Sequence, residues 1–184
     1  MSRPILFLLA AAAAFAAPPA VLVTPGQMLV ATEKSTDPDF ARSVVLVIRS
    51  DEHGVVGLWL NRPSDVPIGK VFPRIRSQRV LRDRVFLGGP VAIGAYALVR
   101  RAELGAGLTR LLDGVLTTGD SGVIVRLAET GLSPDGFRVY AGYVGWSSAQ
   151  LSAEIHAGLW KTVPGSARAV FSTRPDLLWA VLSR

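Results

Sequence analysis

The residues most able to do chemistry in this chain are polar or aromatic side chains beside glycine, proline or a predicted helix start. The candidates for a ligand site are Asn61, Arg62, Gly88, Gly89, Pro90, Trp146, Gln150 and Glu154. Glycine at a strand end allows close approach to the backbone, and exposed amides there can bind an anion. Asn61 offers both a donor and an acceptor. Trp146 could form the wall of a pocket beside the amides of Ser147 and Ser148, at the positive end of a helix.

The same residues also have a purely architectural interpretation, which stays open. Asn61-Arg-Pro63 and Gly88-Gly-Pro90 are typical of turns, and Trp146 and Trp160 can belong to a hydrophobic core. On the first interpretation the chain binds a small ligand, or acts as an enzyme on a small anionic substrate. On the second, these residues hold the fold together.

Two other motifs are similar to catalytic sequences, but we predict no catalysis from them. Thr118-Gly-Asp-Ser-Gly122 resembles the nucleophile loop of chymotrypsin-like proteases, whose triad requires His, Asp and Ser in that chain order. His53 is upstream, but Asp51-Glu52-His53-Gly54 is typical of a hairpin turn, so we interpret Asp120 or Ser121 as a helix cap. Adjacent residues on a turn rarely converge on one ion, and we predict no metal site and no cofactor.

The start of the chain predicts export. Arg3 precedes an apolar run of 13 residues from Ile5 to Ala17, and Ala14-Phe-Ala16 fits a signal-peptidase site. We therefore predict a signal peptide over residues 1–17, one domain over residues 18–184 and a periplasmic location, with no stable membrane anchor after cleavage. The chain has no cysteine, which excludes disulfides and thiolate metal sites.

Basic residues are concentrated in one stretch of this chain, whose formal net charge is +6. Nine lie between Arg62 and Arg101, against only Asp65 and Asp83. Such a stretch attracts polyanions, but Pro73 interrupts it and its arginines fit no sustained helical face. We therefore predict no specific nucleic-acid partner; a small ligand or a protein partner is expected instead.

Hydrophobic periodicity predicts interleaved strands and helices around one strong hairpin. Ser43–Ile48 and Val55–Leu60 are apolar runs flanking a polar turn, and their continuous hydrophobicity indicates that both faces are covered. We predict a helix from Asp120 or Ser121 to Glu129, and another that begins after Ser147, which forms a capping box with Gln150 three residues later. In the second helix Leu151, Ile155 and Leu159 share one apolar face. Arg168–Ser172 is predicted to be a strand. The fold class is therefore α/β or α+β, with a mixed sheet covered by helices.

The order of several motifs closely resembles the YqgE/AlgH family of bacterial proteins. These motifs are Gly26-Gln-Met-Leu-Val-Ala-Thr32, Asp37-Pro-Asp-Phe40, Asn61-Arg-Pro63, Gly88-Gly-Pro-Val91 and Gly142-Tyr-Val-Gly-Trp146, followed by Gln150-Leu151, Glu154-Ile155 and Trp160. The resemblance runs from about Gly26 to the C-terminus. It implies a single compact domain with a strongly bent mixed β-sheet and packed helices.

The resemblance implies little about chemistry, because the family has no established enzymatic reaction. It implies a binding or regulatory domain, with transcriptional regulation of exopolysaccharide synthesis as an alternative. Family members are usually cytoplasmic, whereas this chain begins like an exported protein. The family often carries a histidine where this chain has Val99-Arg100.

Overall fold

A computed structural model describes residues 23–101, 103 and 105–184. The predicted signal peptide lies outside the described residues. The strands are β1 (Gln27–Ala31), β2 (Val44–Asp51), β3 (Gly54–Trp59), β4 (Pro63–Pro67), β5 (Arg84–Leu87), β6 (Val91–Arg100), β7 (Thr109–Leu112), β8 (Val115–Thr118), β9 (Phe137–Trp146) and β10 (Trp160–Pro164). The α-helices are α1 (Ile68–Val71), α2 (Ser121–Glu129), α3 (Ser148–His156), α4 (Ala167–Val170) and α5 (Leu178–Leu182). A 3₁₀ turn, Pro175–Leu177, precedes α5.

The predicted central hairpin is present. β2 and β3 pair antiparallel, with Asp51 opposite Gly54 across the turn. All six residues of β3 and the first four of β2 are buried. Burial on both faces explains why these runs are continuously apolar rather than alternating.

The strands form one curled sheet in the order β10-β1-β2-β3-β9-β6-β8-β7. All neighbouring strands in this order are antiparallel. Outside this order, β5 pairs antiparallel with β4 and parallel with β9. The curl brings β7 against the start of β1: a Cβ on Gly26 would lie 2.4 Å from the Leu111 carbonyl oxygen. Gly26 also has φ +91, so two independent constraints select glycine there. The predicted single domain with a strongly bent mixed sheet and packed helices is confirmed.

The concave side of the sheet holds a core that the C-terminal helices cover. Leu46, Leu58 and Leu98 from separate strands pack in one cluster with Val170 and Leu178. These last two residues belong to α4 and α5. The short C-terminal helices therefore close the half-barrel and are part of its core.

Helices also cover the convex side, in two groups. The first comprises α1 and α2, whose Ile68 and Ile124 pack with Val139 of β9. The second is α3, whose Leu151 packs with Trp146 and Trp160. The predicted face of α3 is confirmed at Leu151, which is buried; Ile155 and Leu159 are only partly buried against the same cluster.

The predicted strand Arg168–Ser172 is wrong, because this segment forms α4. The Ser166 hydroxyl accepts a hydrogen bond from the Ala169 amide and caps the helix. The strand lies earlier, at β10, which pairs with β1 and forms one edge of the sheet. Its Pro164 closes the strand, as expected of an edge position.

Two features of the middle segment complete the fold. Pro63 opens β4 opposite Phe86, at a first-residue position that needs no amide donor. Beyond α1 the chain makes turns, in which the arginine side chains are exposed while Ile75 and Val80 are buried. The prediction that these arginines share no helix is confirmed. In the part of the chain that the structure describes, no helix is long and apolar enough to cross a bilayer.

Candidate functional site

Asn61 ties the turn after β3 to the start of β2. Its side-chain oxygen accepts from the Val44 amide at 3.0 Å, and its side-chain nitrogen donates to the Arg42 carbonyl at 2.8 Å. Arg42 adopts φ 57, a conformation unusual for a residue with a side chain. Both ends of the Asn61 amide are therefore engaged in holding this backbone.

Arg62 holds the loop before β2. Its Nη2 donates to the carbonyls of Asp39 and Ala41 and to the hydroxyl of Ser43, each at 3.2 Å. The guanidinium also lies over the Trp59 ring, 5.2 Å from its centroid. A planar cation on an aromatic face is a favourable contact. Arg62 thus acts as a cross-brace between this loop and the hairpin.

Gly88 and Gly89 lie where β5 leaves the sheet and crosses β9. The Gly88 amide donates to the Ala141 carbonyl at 2.7 Å, and its carbonyl accepts from the Trp59 amide at 2.9 Å. A Cβ on Gly88 would lie 2.1 Å from the Gly142 oxygen. These glycines permit close approach, as predicted, but what approaches Gly88 is the protein's own backbone. Ligand binding by Gly88, Gly89 and Pro90 stays a prediction.

Trp146, Gln150 and Glu154 come together around one carboxylate. Glu154 Oε2 accepts from Trp146 Nε1 at 3.0 Å and from Trp160 Nε1 at 2.7 Å, while Oε1 accepts from Gln150 Nε2 at 2.8 Å. The carboxylate therefore links the end of β9, α3 and β10. The predicted Ser147 cap is present, since its hydroxyl accepts from the Gln150 amide, but the Gln150 side chain turns to Glu154.

Phe40 connects these groups into one neighbourhood. Its ring centroid lies 5.9 Å from that of Trp59, 6.2 Å from Trp146 and 5.8 Å from Trp160. Such edge and tilted contacts stabilise aromatic clusters. The predicted residues thus lie near one another through Phe40 and Trp59, but none of them lines the cavities described below.

One cavity lies on the concave side, between the hairpin and the opposite end of the curled sheet. It has a volume of about 420 Å³. Its polar lining comprises Arg49, Tyr96, Thr109, Thr117, Thr118 and Asp120, with Ile48 and Val56 as apolar wall. Cavities of roughly 300–1,000 Å³ in the mouths of β-barrels commonly hold small molecules.

Asp120 marks the edge of this cavity and confirms the predicted helix cap. Its carboxylate accepts from the Val123 amide at 3.0 Å. Backbone hydrogen bonds from Val123 and Gly122 lower the pKa of Asp120 below its usual value. The Thr118 hydroxyl accepts from the Asp120 amide at 3.1 Å. Because the carboxylate is held in its ionised form, it suits the binding of a donor better than the uptake of a proton.

The sequence prediction missed most of this lining. The sequence signal for this lining was weak. β8 ends in two adjacent threonines, Thr117 and Thr118, and adjacent side chains in a strand are expected to point to opposite faces rather than into one cavity. The sequence predicts Arg49 in the polar turn after Ile48, whereas in the structure it extends β2 beside a bulge between Val47 and Arg49. The turn residue His53 is exposed, and its Nε2 lies 3.7 Å from Glu52 Oε1.

A curled sheet packed by helices on both faces, with a cavity at its mouth, defines a single-domain half-barrel. A family model described as AlgH-like matches residues 28–184. The chain is 30% identical over 161 residues to a UPF0301 protein of Chlorobaculum tepidum, covering 86% of this chain and 84% of that one. It is 34% identical over 158 residues to a UPF0301 protein of Xylella fastidiosa, covering 83% and 84%. The chain belongs to the AlgH-like family, as its motifs predicted.

Two solved structures share the fold. A crystal structure of protein DIP2367 from Corynebacterium diphtheriae superposes with a TM-score of 0.72 at 26% identity, covering 88% of this chain and 86% of that one. The solution structure of the AlgH protein from Pseudomonas aeruginosa gives a TM-score of 0.69 at 23% identity, covering 85% of each chain. The half-barrel is therefore shared well beyond close relatives.

Proposed function

We propose that this protein is a small-ligand-binding domain that works through occupancy of the cavity at the mouth of its half-barrel. The observation that carries the proposal is the composition of that cavity. Three threonines and a tyrosine supply hydroxyl groups, while Arg49 and Asp120 supply one charge of each sign. This polar lining, beside the apolar wall of Ile48 and Val56, suits a small, polar, hydroxyl-bearing molecule.

The protonation state and the hydrogen bonds of the groups in this cavity favour binding over catalysis. Asp120 caps α2, so its lowered pKa makes it a poor general base near neutral pH. Thr117 donates its hydroxyl proton to the Ala97 carbonyl at 3.1 Å, and nothing among the lining residues is placed to activate it as a nucleophile.

The alternative of an enzyme acting on a small anionic substrate has less support. It relied on Asn61, the Gly88 and Gly89 amides and Glu154 facing one pocket. Asn61, the Gly88 amide and Glu154 are instead hydrogen-bonded within the protein. A regulatory role, if ligand occupancy controls a protein partner, would appear as a coupling between the two binding events.

A thermal-shift screen of small polar metabolites tests this proposal. Thr109 is exposed at the rim of the cavity on β7, so Thr109→Trp should fill the mouth without disturbing the core. Thr162 is exposed on β10 and does not line the cavity, so Thr162→Trp is the matched control. A ligand at one hundred times its Kd stabilises the native state by about 2.7 kcal/mol.

The expected result is a hit that raises the melting temperature of the wild type and of Thr162→Trp but not of Thr109→Trp. Incubation with the same compound should leave it chemically unchanged. A hit that stabilises Thr109→Trp equally would place the ligand elsewhere. Turnover of the compound would favour the enzyme interpretation.

A further inference from the structure

Residues 68–83, between β4 and β5, form a compact loop on the convex side of the sheet, which we call the basic loop. Its two ends are joined, because the Ile68 amide donates to the Asp83 carbonyl at 2.8 Å. Compact loops of this length with adjacent ends are packed by their own side chains. The Arg76 amide also donates to Glu129 Oε1 at 2.5 Å, at the end of α2. The basic loop is therefore held in a defined position on the surface.

The side chains of the basic loop divide between the core and the solvent. Four apolar side chains are buried in the cluster beneath α1 and α2, namely those of Ile68, Phe72, Ile75 and Val80. Five basic side chains are exposed, namely those of Lys70, Arg74, Arg76, Arg79 and Arg82. The one acidic residue in the sequence of the loop, Asp83, is partly buried, and burial raises the pKa of its carboxyl. The outer surface of the loop is therefore strongly positive.

The rest of the described chain does little to neutralise this charge. Among the described residues, no salt bridge joins a carboxylate to any of the five basic side chains. Arg84, next to the loop, already pairs with Asp65 at 2.7 Å. A rigid surface with several unneutralised cations attracts a partner that carries several negative charges.

Apolar side chains lie exposed beside these cations. Val66 on β4 is 42% exposed, and Val71 at the end of α1 is 37% exposed. A cavity of about 400 Å³ lies between the basic loop and the start of α2, with Phe72 and Val125 in its apolar lining and Arg74 as its charged lining residue. A lipid presents negative charge beside hydrocarbon, whereas a hydrophilic polyanion has no group that such apolar surface would stabilise. The pairing of cations with exposed apolar surface therefore favours an amphiphilic partner.

We propose that the basic loop binds reversibly to a membrane surface that contains anionic phospholipids. Its arginines contact lipid phosphates, with which the planar guanidinium can form paired hydrogen bonds. Val66 and Val71 enter the boundary between the headgroups and the acyl chains. The loop lies on the convex side, so a flat bilayer can reach it without entering the half-barrel. Such binding is the association of a folded surface and needs no spanning helix.

Vesicle sedimentation of the full-length protein tests the proposal, with vesicles of phosphatidylcholine alone or with about 30% phosphatidylglycerol added. The loop variant combines Arg74→Gln, Arg76→Gln and Arg82→Gln. The control variant loses the same three charges at exposed positions on other elements and combines Lys34→Gln, Arg168→Gln and Arg184→Gln. Binding through the apolar run near the N-terminus should be equal for the two kinds of vesicle, so the difference between them measures the basic loop.

The wild type should bind the anionic vesicles more tightly than the neutral ones. Each basic residue at an anionic surface contributes about fivefold in affinity, so the loop variant should bind the anionic vesicles about 10²-fold more weakly. The control variant should stay within about threefold of the wild type at ~0.1 M salt, because charges more than about 10 Å from the lipid are screened.

Val71→Ser tests the apolar contact, with Val181→Ser on α5 as its control because Val181 is 65% exposed. Val71→Ser should weaken binding to the anionic vesicles by at least about threefold, and Val181→Ser should leave it unchanged.

Equal binding of the wild type to the two kinds of vesicle overturns the proposal, and so does an equal loss in the loop and control variants. Tighter binding to poly-L-glutamate than to the anionic vesicles also overturns it and indicates an acidic protein as the partner. The comparisons between vesicles and with poly-L-glutamate use only wild-type protein, so they stand even if a variant folds poorly.

Discussion

Removing the Glu154 carboxylate should be among the most damaging single changes on the convex face. Glu154→Ala leaves two indole N–H groups without their acceptor, and both tryptophans are buried, Trp146 at 5% and Trp160 at 4% exposure. An unsatisfied buried donor costs about 1–3 kcal/mol, so two predict a loss of about 2–6 kcal/mol. The third donor, Gln150, is exposed and can turn to water.

A graded series of variants separates the contributions. Glu154→Gln keeps an oxygen that can accept from both indoles but loses the charge, so we expect a loss of about 1–2 kcal/mol. Gln150→Ala should cost less than about 1 kcal/mol, because its hydrogen bond is solvent-exposed. Urea unfolding, followed by tryptophan fluorescence, gives the midpoints at constant m-value. A Glu154→Ala loss below about 1 kcal/mol would refute the reasoning.

Three further changes test other parts of the fold. Gly88→Ala should cost more than about 3 kcal/mol of stability, since a Cβ there would overlap a carbonyl oxygen. The control Gly105→Ala meets only ordinary contacts and should change the stability by less than about 1 kcal/mol. Urea unfolding midpoints compare the two variants. Leu151→Ala should cost about 2–5 kcal/mol and Ile155→Ala about 1–2, following their burial; equal losses would contradict the assigned helix face. Burial raises the pKa of Tyr140 to about 12, so its contribution to stability is complete below about pH 10 and is lost as pH rises to about 12. Tyr140→Phe should remove that part of the alkaline destabilisation, as measured by denaturant titrations at several pH values. An unchanged pH profile of stability would contradict this prediction.

The sequence predicted those elements whose signals are local. The β2–β3 hairpin follows from two apolar runs around a polar turn, and α2 and α3 follow from their Asp120 and Ser147 caps. The family could be predicted because its motifs are spread along most of the chain in a fixed order. These features depend on neighbours in sequence and need no knowledge of tertiary contacts.

Features set by contacts between distant residues were less predictable. β10 is a strand because it pairs with β1, more than 125 residues earlier, through contacts such as Ala31 with Trp160. The Glu154 carboxylate binds two indoles that periodicity assigns only to the core. The cavity lining comes from separate strands of a curled sheet, and its position depends on how far that sheet bends.

The candidate site residues show the same difference between local sequence signals and contacts with distant residues. The sequence singles out Asn61 and Gly88 as candidate ligand-binding positions, but it cannot say whether a glycine admits a ligand or another strand. In this structure Gly88 admits β9.

Native mass spectrometry of protein purified from its own host is the most direct test of ligand binding at the mouth of the half-barrel. The account predicts a non-covalent small molecule bound to the wild type and to Thr162→Trp, and its absence from Thr109→Trp. Collisional release should then give the mass of a small polar compound. A wild-type spectrum showing only the unliganded protein under gentle conditions, or a ligand retained by Thr109→Trp, would contradict the account.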